Sequence, residues 1–504
     1  MHSLRRSATT LTAVVLSGLA LLVWTLTVPE FLDGWWAVPA PDPGSVTGQV
    51  LVIVAGATAP AVVGVAAAGT AWWLARHRFY AVAGAALLAM VLAWSGATVV
   101  RHLVGRPRPA SPFDWAITQQ GPGHPSVHVA VWTAAAVIGM TLASTMRRRV
   151  WPAALVGIAA VACVAGDRLW MAAHTVSDVV GGVLLGVFAA CLANLLADVH
   201  VVHAVAGTGT LRAAVIYNPV KVVGVETFRN LVAQTLEAHG ADEVLWLPTE
   251  ACDPGFRMAE RALEAQVDVV LVAGGDGTVR VVLGELADTG QKVGILPSGT
   301  GNLLARNLGI PLDVDRALRL ALEHDPTPTD LIRVDLPDGT QHAAVLAGIG
   351  IDAHIMDDTD EGLKRAIGPA AYVVAGARHL DARPMQVRLT VDDHDPVDVE
   401  ASLVSIGNVG ELQEGVAIMP GASAHDGQLD VLVATPNTKL DMAQMITDVL
   451  FEAGDGPNIA RWTGTRLRLE VPDGARCQID GDVVGDVTDV TFSVRQGAVR
   501  LVCP

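Results

Sequence analysis

Positive charge is what this 504-residue sequence lacks most: 34 Lys and Arg stand against 51 Asp and Glu, a formal net charge of -17. So acidic a chain excludes a nucleic-acid partner, because phosphate backbones demand basic surface. Cysteine is scarce too. The five present (Cys163, Cys191, Cys252, Cys477 and Cys503) show neither paired nor metal-like spacing, and two lie in apolar stretches, which excludes a disulfide framework and a zinc site. Charged residues of both signs reach only 17%, whereas 51% of residues are hydrophobic. With a mean hydropathy of +0.42 the chain is too apolar for a soluble protein and too long for one ordinary domain.

The apolar excess falls before about residue 200. Runs of about 20 residues, enough to cross a bilayer, occupy Thr9–Val28, Val50–Leu74, Tyr80–Val100, Val127–Thr145, Val150–Trp170 and Val176–Leu196. They predict six spans. Arg5-Arg6, Arg76-His77-Arg78 and Arg147-Arg148-Arg149 all fall on one face, which the positive-inside rule makes cytoplasmic. Both termini are then cytoplasmic, and the Pro-rich loop Glu30–Gln49 is outside. The first span can be read as a signal peptide, although its length favours an anchor.

A further basic set, Arg101 to Pro109, ends the third span on the outer side, where no topogenic role explains it. A phosphate ligand does. Pro125-Ser126-Val127-His128 opens the fourth span, and Arg168, His174 and Asp178 bracket the last outer loop. Arginine forks bind phosphate, a histidine can attack phosphorus, a carboxylate one helical turn away can orient it, and a second histidine can protonate the leaving oxygen. These three clusters resemble the motif of the type-2 phosphatidic acid phosphatase superfamily, over residues 1 to about 200. The resemblance implies a metal-free phosphohistidine mechanism. His174 would be the nucleophile oriented by Asp178, with His128 as acid, and Arg101, Arg108, Arg168 and Ser126 would hold the phosphate. Three positions depart from the family pattern: Arg101 replaces Lys, Val127 replaces Gly, and Asp167 replaces Ser.

After the joint at 201–211 the composition changes, and strand and helix periods alternate. Strands are expected at Ala213–Asn218, Glu243–Pro248, Val267–Ala273 and Lys292–Pro297, with helices at Gly224–His239, Arg257–Ala265 and Leu303–Leu308. The third strand runs into Gly274-Gly275-Asp276-Gly277-Thr278, and the fourth into Ser298-Gly299-Thr300-Gly301-Asn302. Glycines let the backbone approach a ligand, successive N–H groups cradle anionic oxygens, Asp276 can orient a magnesium-bound phosphate, and Thr278 can cap the next helix. Two such turns can converge on one triphosphate.

Together with Asn218-Pro219, these runs resemble the diacylglycerol kinase catalytic family, which includes sphingoid-base kinases. The likeness continues through Gly348 to Ala353, Lys364 to Tyr372, Gly407-Asn408, Pro420, Asp426 to Asp430 and Asp480-Gly481-Asp482. It implies ATP bound by Asn218, Gly274, Gly275, Asp276, Gly277, Thr278, Gly299, Thr300, Gly301 and Asn302. It also implies Mg²⁺ held by Asp426 and the backbone of Ser423 and Gln428, and Asp482 as general base where the family usually has Glu. A nicotinamide-nucleotide kinase shares the first glycine run and is the nearest rival; the second run and the membrane half favour lipid.

The expected architecture is an N-terminal six-helix transmembrane bundle followed by a two-lobe lipid kinase, with an α/β nucleotide-binding lobe and a β-rich sandwich lobe. Its parts are 1–200 (membrane phosphatase-like), 201–211 (linker), 212–335 (nucleotide lobe) and 336–504 (lipid-binding lobe). The expected function is bifunctional. A cytoplasmic kinase would phosphorylate a diacylglycerol-like lipid, and an extracytoplasmic site would hydrolyse phosphatidate or a polyprenyl phosphate. A homodimer is left open, and the alternative is a membrane-anchored kinase whose phosphatase-like half is silent.

Overall fold

The computed structural model describes residues 2–36, 38–114, 121–146, 150–199, 211–350, 384–413, 416–417, 419–435, 441 and 458–504. Arg147-Arg148-Arg149, the linker 201–210, Ile351 to Ala353 and Lys364 to Tyr372 lie outside these residues. The chain divides into two compact units, one of Met1–Val205 with Arg229–Gln234, the other of Ala206–Phe228 with Thr235–Pro504.

The first unit is helical: α1 (His2–Thr27), a 3-10 turn (Glu30–Trp35), α2 (Val46–Ala57), α3 (Pro60–Arg76), α4 (Tyr80–Val104), α5 (Val127–Thr145), α6 (Val150–Trp170) and α7 (Val176–Leu196). Among the described residues five helices are long and apolar enough to cross a membrane, or six if the bent pair α2–α3 counts as one span. The expected second span is therefore broken in two. Pro60 has no N–H to continue a helix, and the pair bends by 40°. The indole of Trp132 on α5 donates to the carbonyl of Thr58 at the break, at 3.0 Å. In lipid, packing rather than hydrophobicity holds helices together, so small residues matter. A Cβ on Gly182 of α7 would come within 2.7 Å of the Ser126 carbonyl, so only glycine allows α7 to lie this close to the start of α5. Helix α4 runs one turn past its expected end, to Gly105 at φ 63°, and so carries Arg101 on its last turn.

The second unit opens with parallel strands β1 (Leu211–Tyr217), β2 (Ala241–Pro248), β3 (Val269–Gly274) and β4 (Lys292–Pro297), in spatial order β2-β1-β3-β4. Helices α8 (Val225–Ala238), α9 (Phe256–Glu264), α10 (Asp276–Glu285), α11 (Leu303–Asn307) and α12 (Val314–Glu323) accompany them. Continuous Val/Leu/Ile/Ala runs in β3 and β4 are buried on both faces, as a parallel sheet requires.

Antiparallel strands follow: β5 (Thr327–Leu336), β6 (Gly339–Ala343), β7 (Leu346–Gly350), β8 (Met385–Val391), β9 (Val397–Ala401), β10 (Leu403–Gly407), the short pair β11 (Glu411–Gln413) and β12 (Val416–Ala417), β13 (Leu429–Ala434), β14 (Ile459–Gly464), β15 (Arg466–Ile479) and β16 (Asp482–Leu501). Ile349, Leu389, Val404, Ile406, Leu469 and Phe492 centre their core. A single hydrogen-bonded path runs through both lobes, in the order β14-β13-β10-β7-β15-β16-β4-β3-β1-β2. The join is β16, which pairs antiparallel with β15 and β5 and then parallel with β4 at Arg500↔Lys292. Strand β5, which starts at Thr327, pairs with β6 and β16 and so hydrogen-bonds into the antiparallel part of the sheet.

Candidate active sites

In the helical unit, the end of α4, the loop before α5, the end of α6 and the turn before α7 bring all seven expected residues together. Arg101, Ser126, His128, Arg168, His174 and Asp178 are buried. Arg108 Nη1 lies 3.2 Å from His174 Nε2 and donates to the Ala173 carbonyl at 3.2 Å, while its Nε donates to Gly121. Asp178 Oδ2 stands 3.7 Å from His174 Nδ1 and accepts the Thr175 N–H at 3.0 Å within a capping box. This arrangement suits the tautomer with the proton on Nδ1, leaving the Nε2 lone pair beside Arg108. Among the described residues, Ser126 Oγ, His128 Nδ1 and Arg108 Nη2 are buried without a hydrogen-bond partner. A tetrahedral anion would satisfy such donors.

Three residues that this site uses had no individual role from the sequence, Arg106 being read only as part of the basic set Arg101 to Pro109. His124 Nδ1 lies 3.2 Å from Asp178 Oδ1, so one carboxylate faces two histidines. Arg106 Nη1 donates to Ser177 Oγ and lies 3.6 Å from Asp178 Oδ1, and its Nη2 pairs with Asp33, whose other oxygen accepts the Ser177 N–H at 3.0 Å. The adjacency of His124 to Pro125 was the available signal; nothing marked Asp33. Asp167 turns the Arg168 guanidinium aside, taking Nε at 2.9 Å and Nη2 on the same oxygen.

In the second unit the three nucleotide motifs gather at the C-terminal ends of β1, β3 and β4. Tyr217 pairs with Ala273 and Gly274 with Pro297, and the Asn218 N–H donates to Ala273. Asn218 Oδ1 accepts the N–H of Val220 and Lys221, folding its loop back as an Asx turn. The two glycine turns touch through backbone: a Cβ on Gly299 would stand 2.5 Å from Gly275 Cα. Asn302, at φ 52°, clamps Gly299 by donating to its carbonyl and accepting its N–H. Asp276 accepts the N–H groups of Asn302 and Leu303 at 2.9 and 2.6 Å, tying one turn to the other; burial pushes its carboxyl up, opposed by these bonds. Thr278 does not cap α10. The helix starts at Asp276 with Gly275 as its N-cap, and Thr278 packs inside the first turn, where a Cβ on Gly274 would meet its own Cβ at 2.6 Å. Thr300 is exposed.

Asp482 faces this floor from the other lobe. Its Oδ2 lies 3.5 Å from where a Cβ on Gly277 would stand and accepts from Arg280 Nη2 at 2.7 Å. Arg280 was not marked by sequence reasoning, having the look of a solvent-facing helix residue. Two residues earlier, Asp480 accepts three N–H groups, of Ala344, Val345 and Leu346 at 2.8 to 2.9 Å, and desolvation, opposed by these bonds, pushes its carboxyl up to about 6.

Asp426 lies in the turn Ser423–Gln428. Asp426 Oδ1 accepts the Gln428 N–H at 3.0 Å, and burial, with the Asp426 charge second, raises the Asp430 carboxyl. The two neighbouring carboxylates, Asp426 and Asp430, are of the donor type a hard divalent cation takes. Among the described residues no group of three or more His, Cys, Asp or Glu gathers for a metal.

Family models match in the same order as the sites. Residues 84–200 match the PAP2 superfamily, 212–334 the diacylglycerol kinase catalytic domain, and 344–503 the YegS C-terminal NAD kinase beta sandwich-like domain. A YegS-like lipid kinase of Chromohalobacter salexigens is 35% identical over 45% of this chain and 73% of its own length. That of Pseudomonas aeruginosa is 32% identical over 56% and 92%. The chain belongs to the YegS-like lipid kinases. A PAP2 domain precedes the kinase in the same chain. The solved structure of a diacylglycerol kinase from Bacillus anthracis matches 58% of this YegS-like chain and 97% of its own, at 21% identity and a TM-score of 0.45.

Proposed function

We propose that the chain is a bifunctional membrane lipid enzyme, phosphorylating a diacylglycerol-like hydroxyl with ATP at one site and removing phosphate from a lipid ester or pyrophosphate at the other. The kinase reading rests on one observation above all: two glycine turns in backbone contact, with the Asp482 carboxylate across from Gly277. Asn218, Gly274–Thr278 and Gly299–Asn302 would hold the triphosphate. Asp482 would accept the hydroxyl proton as the lipid oxygen attacks the γ-phosphorus and ADP leaves. Mg²⁺, when bound, neutralises phosphate charge; Asp426 and the carbonyls of Ser423 and Gln428 would hold a structural ion. At the other site His174 Nε2 would attack phosphorus, His128 would protonate the departing oxygen, and water would then hydrolyse the phosphohistidine.

Counting α2–α3 as one bent span gives six crossings, with Arg5-Arg6 and Arg76-His77-Arg78 on the cytoplasmic side. The kinase would then face the cytoplasm and the phosphatase site the outside, so the two could not cycle one molecule without a flip across the bilayer. One observation favours a second reading, a silent phosphatase-like half: Asp167 occupies Arg168.

Purified full-length protein with labelled ATP and diacylglycerol is expected to make phosphatidate, and to release phosphate from phosphatidate or polyprenyl pyrophosphate. Absence of transfer to any lipid hydroxyl from a folded sample rejects the kinase assignment. Equal phosphate release by parent and His174→Ala rejects the nucleophile.

A further inference from the structure

We infer that Arg280 is a positioning residue that aims the short Asp482 carboxylate at the glycine turn, doing by a second contact what a longer acid does by reach. The inference rests on the proposal that Asp482 is the general base.

Arg280 sits one helical turn after the turn residue Gly277, on α10, so its guanidinium starts from the nucleotide lobe. From there it crosses to the β-rich lobe at two points. Nη2 donates to Asp482 Oδ2 at 2.7 Å on β16, and Nη1 donates to Gln341 Oε1 at 3.2 Å on β6. Its side chain is 12% exposed, whereas that of Asp482 is 60% exposed. The arginine is thus the fixed partner and the aspartate the one being held. An exposed ion pair usually contributes little, because two long side chains lose freedom to form it. Here the guanidinium is already packed and anchored on Gln341, so most of that loss is borne before Asp482 joins.

Aspartate has one methylene fewer than glutamate, and a carboxylate misplaced by about 1 Å can lose on the order of 10²-fold in rate. A charge-assisted bond to a rigid donor fixes the direction of Oδ2 over Gly277. The arrangement predicts coupling: Arg280 should matter while residue 482 is aspartate and much less when it is glutamate.

The test is a double-mutant cycle on full-length protein, with steady-state kinase kinetics. Arg280→Gln is expected to lower kcat by about tenfold to 10²-fold with the KM for ATP unchanged, and Arg280→Lys, which keeps one donor, to recover part of that loss. In an Asp482→Glu background the same Arg280→Gln change should cost less than about threefold. An unaffected kcat for Arg280→Gln overturns the inference. So does a raised KM for ATP at constant kcat, which would make Arg280 a nucleotide ligand, and so does an equal cost in both backgrounds. Asp482→Asn separates the two readings. Full turnover by that variant removes the base assignment itself, whereas a dead Asp482→Asn beside an unaffected Arg280→Gln removes only the role of Arg280. Unfolding temperatures within about 2 °C of the parent identify variants whose kinetics count.

Discussion

Asp276 and Asn302 belong to different glycine turns, yet the carboxylate of the first accepts the backbone N–H of the second at 2.9 Å. The cradle is therefore cross-linked from within. Asp276→Ala would leave the Asn302 and Leu303 N–H groups unsatisfied at the start of α11, a loss of about 1–3 kcal/mol. The expected outcome is a lower unfolding temperature and weaker ATP binding, read by thermal unfolding with and without nucleotide. Unchanged ATP affinity would mean that the two turns hold their geometry without the link.

Asp178 carries more than one load: two histidines, the Thr175 N–H and the Arg106 charge converge on its carboxylate. Asp178→Asn keeps the shape but turns one of the two accepting oxygens, one facing His124 and the other His174, into a donor. Phosphate release should fall by about 10²- to 10⁴-fold, while His124→Ala, which removes only one of the loads, should fall less. Equal losses for both would show that His124 does more than hold Asp178.

Asp167 gives the phosphatase-like site a built-in counter-charge. Asp167→Ser frees the Arg168 guanidinium from its neighbour, and kcat/KM for phosphatidate is expected to rise severalfold. A fall would mean that the pair is needed to keep a buried cation tolerable.

What the sequence made legible was local. A β-branched run ending in glycines marks a strand, a turn and a helix start, so Val269–Gly274 and its neighbours appear close to their expected positions. Histidines and arginines at fixed spacing marked the helical site in the same way. Pairing between distant segments was not legible, because a strand such as β16 carries no trace of joining both β15 and β4. Arg280 escaped for the same reason, its partners Gln341 and Asp482 being 61 and 202 residues away. The break at Thr58-Ala59 was readable from Pro60 but hidden by the apolar composition on either side.

Asp480 supplies a pH signature. Its carboxyl is raised from 3.8 to about 6, so its contribution is fully present below pH 4 and is lost as pH rises through 6, a change of roughly 3 kcal/mol. Asparagine does not titrate. The destabilisation caused by Asp480→Asn should therefore be largest near pH 4 and shrink towards pH 7, measured as the difference in unfolding temperature between variant and parent. A difference that grows with pH would mean that the three N–H donors outweigh burial.

The 20-residue strand β16 ties the two lobes together, paired with β15 and β5 along its length. Asp482 rides on one end, and Arg500, paired with Lys292 of the nucleotide lobe, sits at the other. The regular ladder of β16 is interrupted near Gly485, at φ 130°, and at the bulge between Arg495 and Val499, with Gly497 at φ 59°. The proposed base and the glycine turn it faces are thus tied to one strand, and a change at that bulge should be felt at Asp482 from the other end of β16.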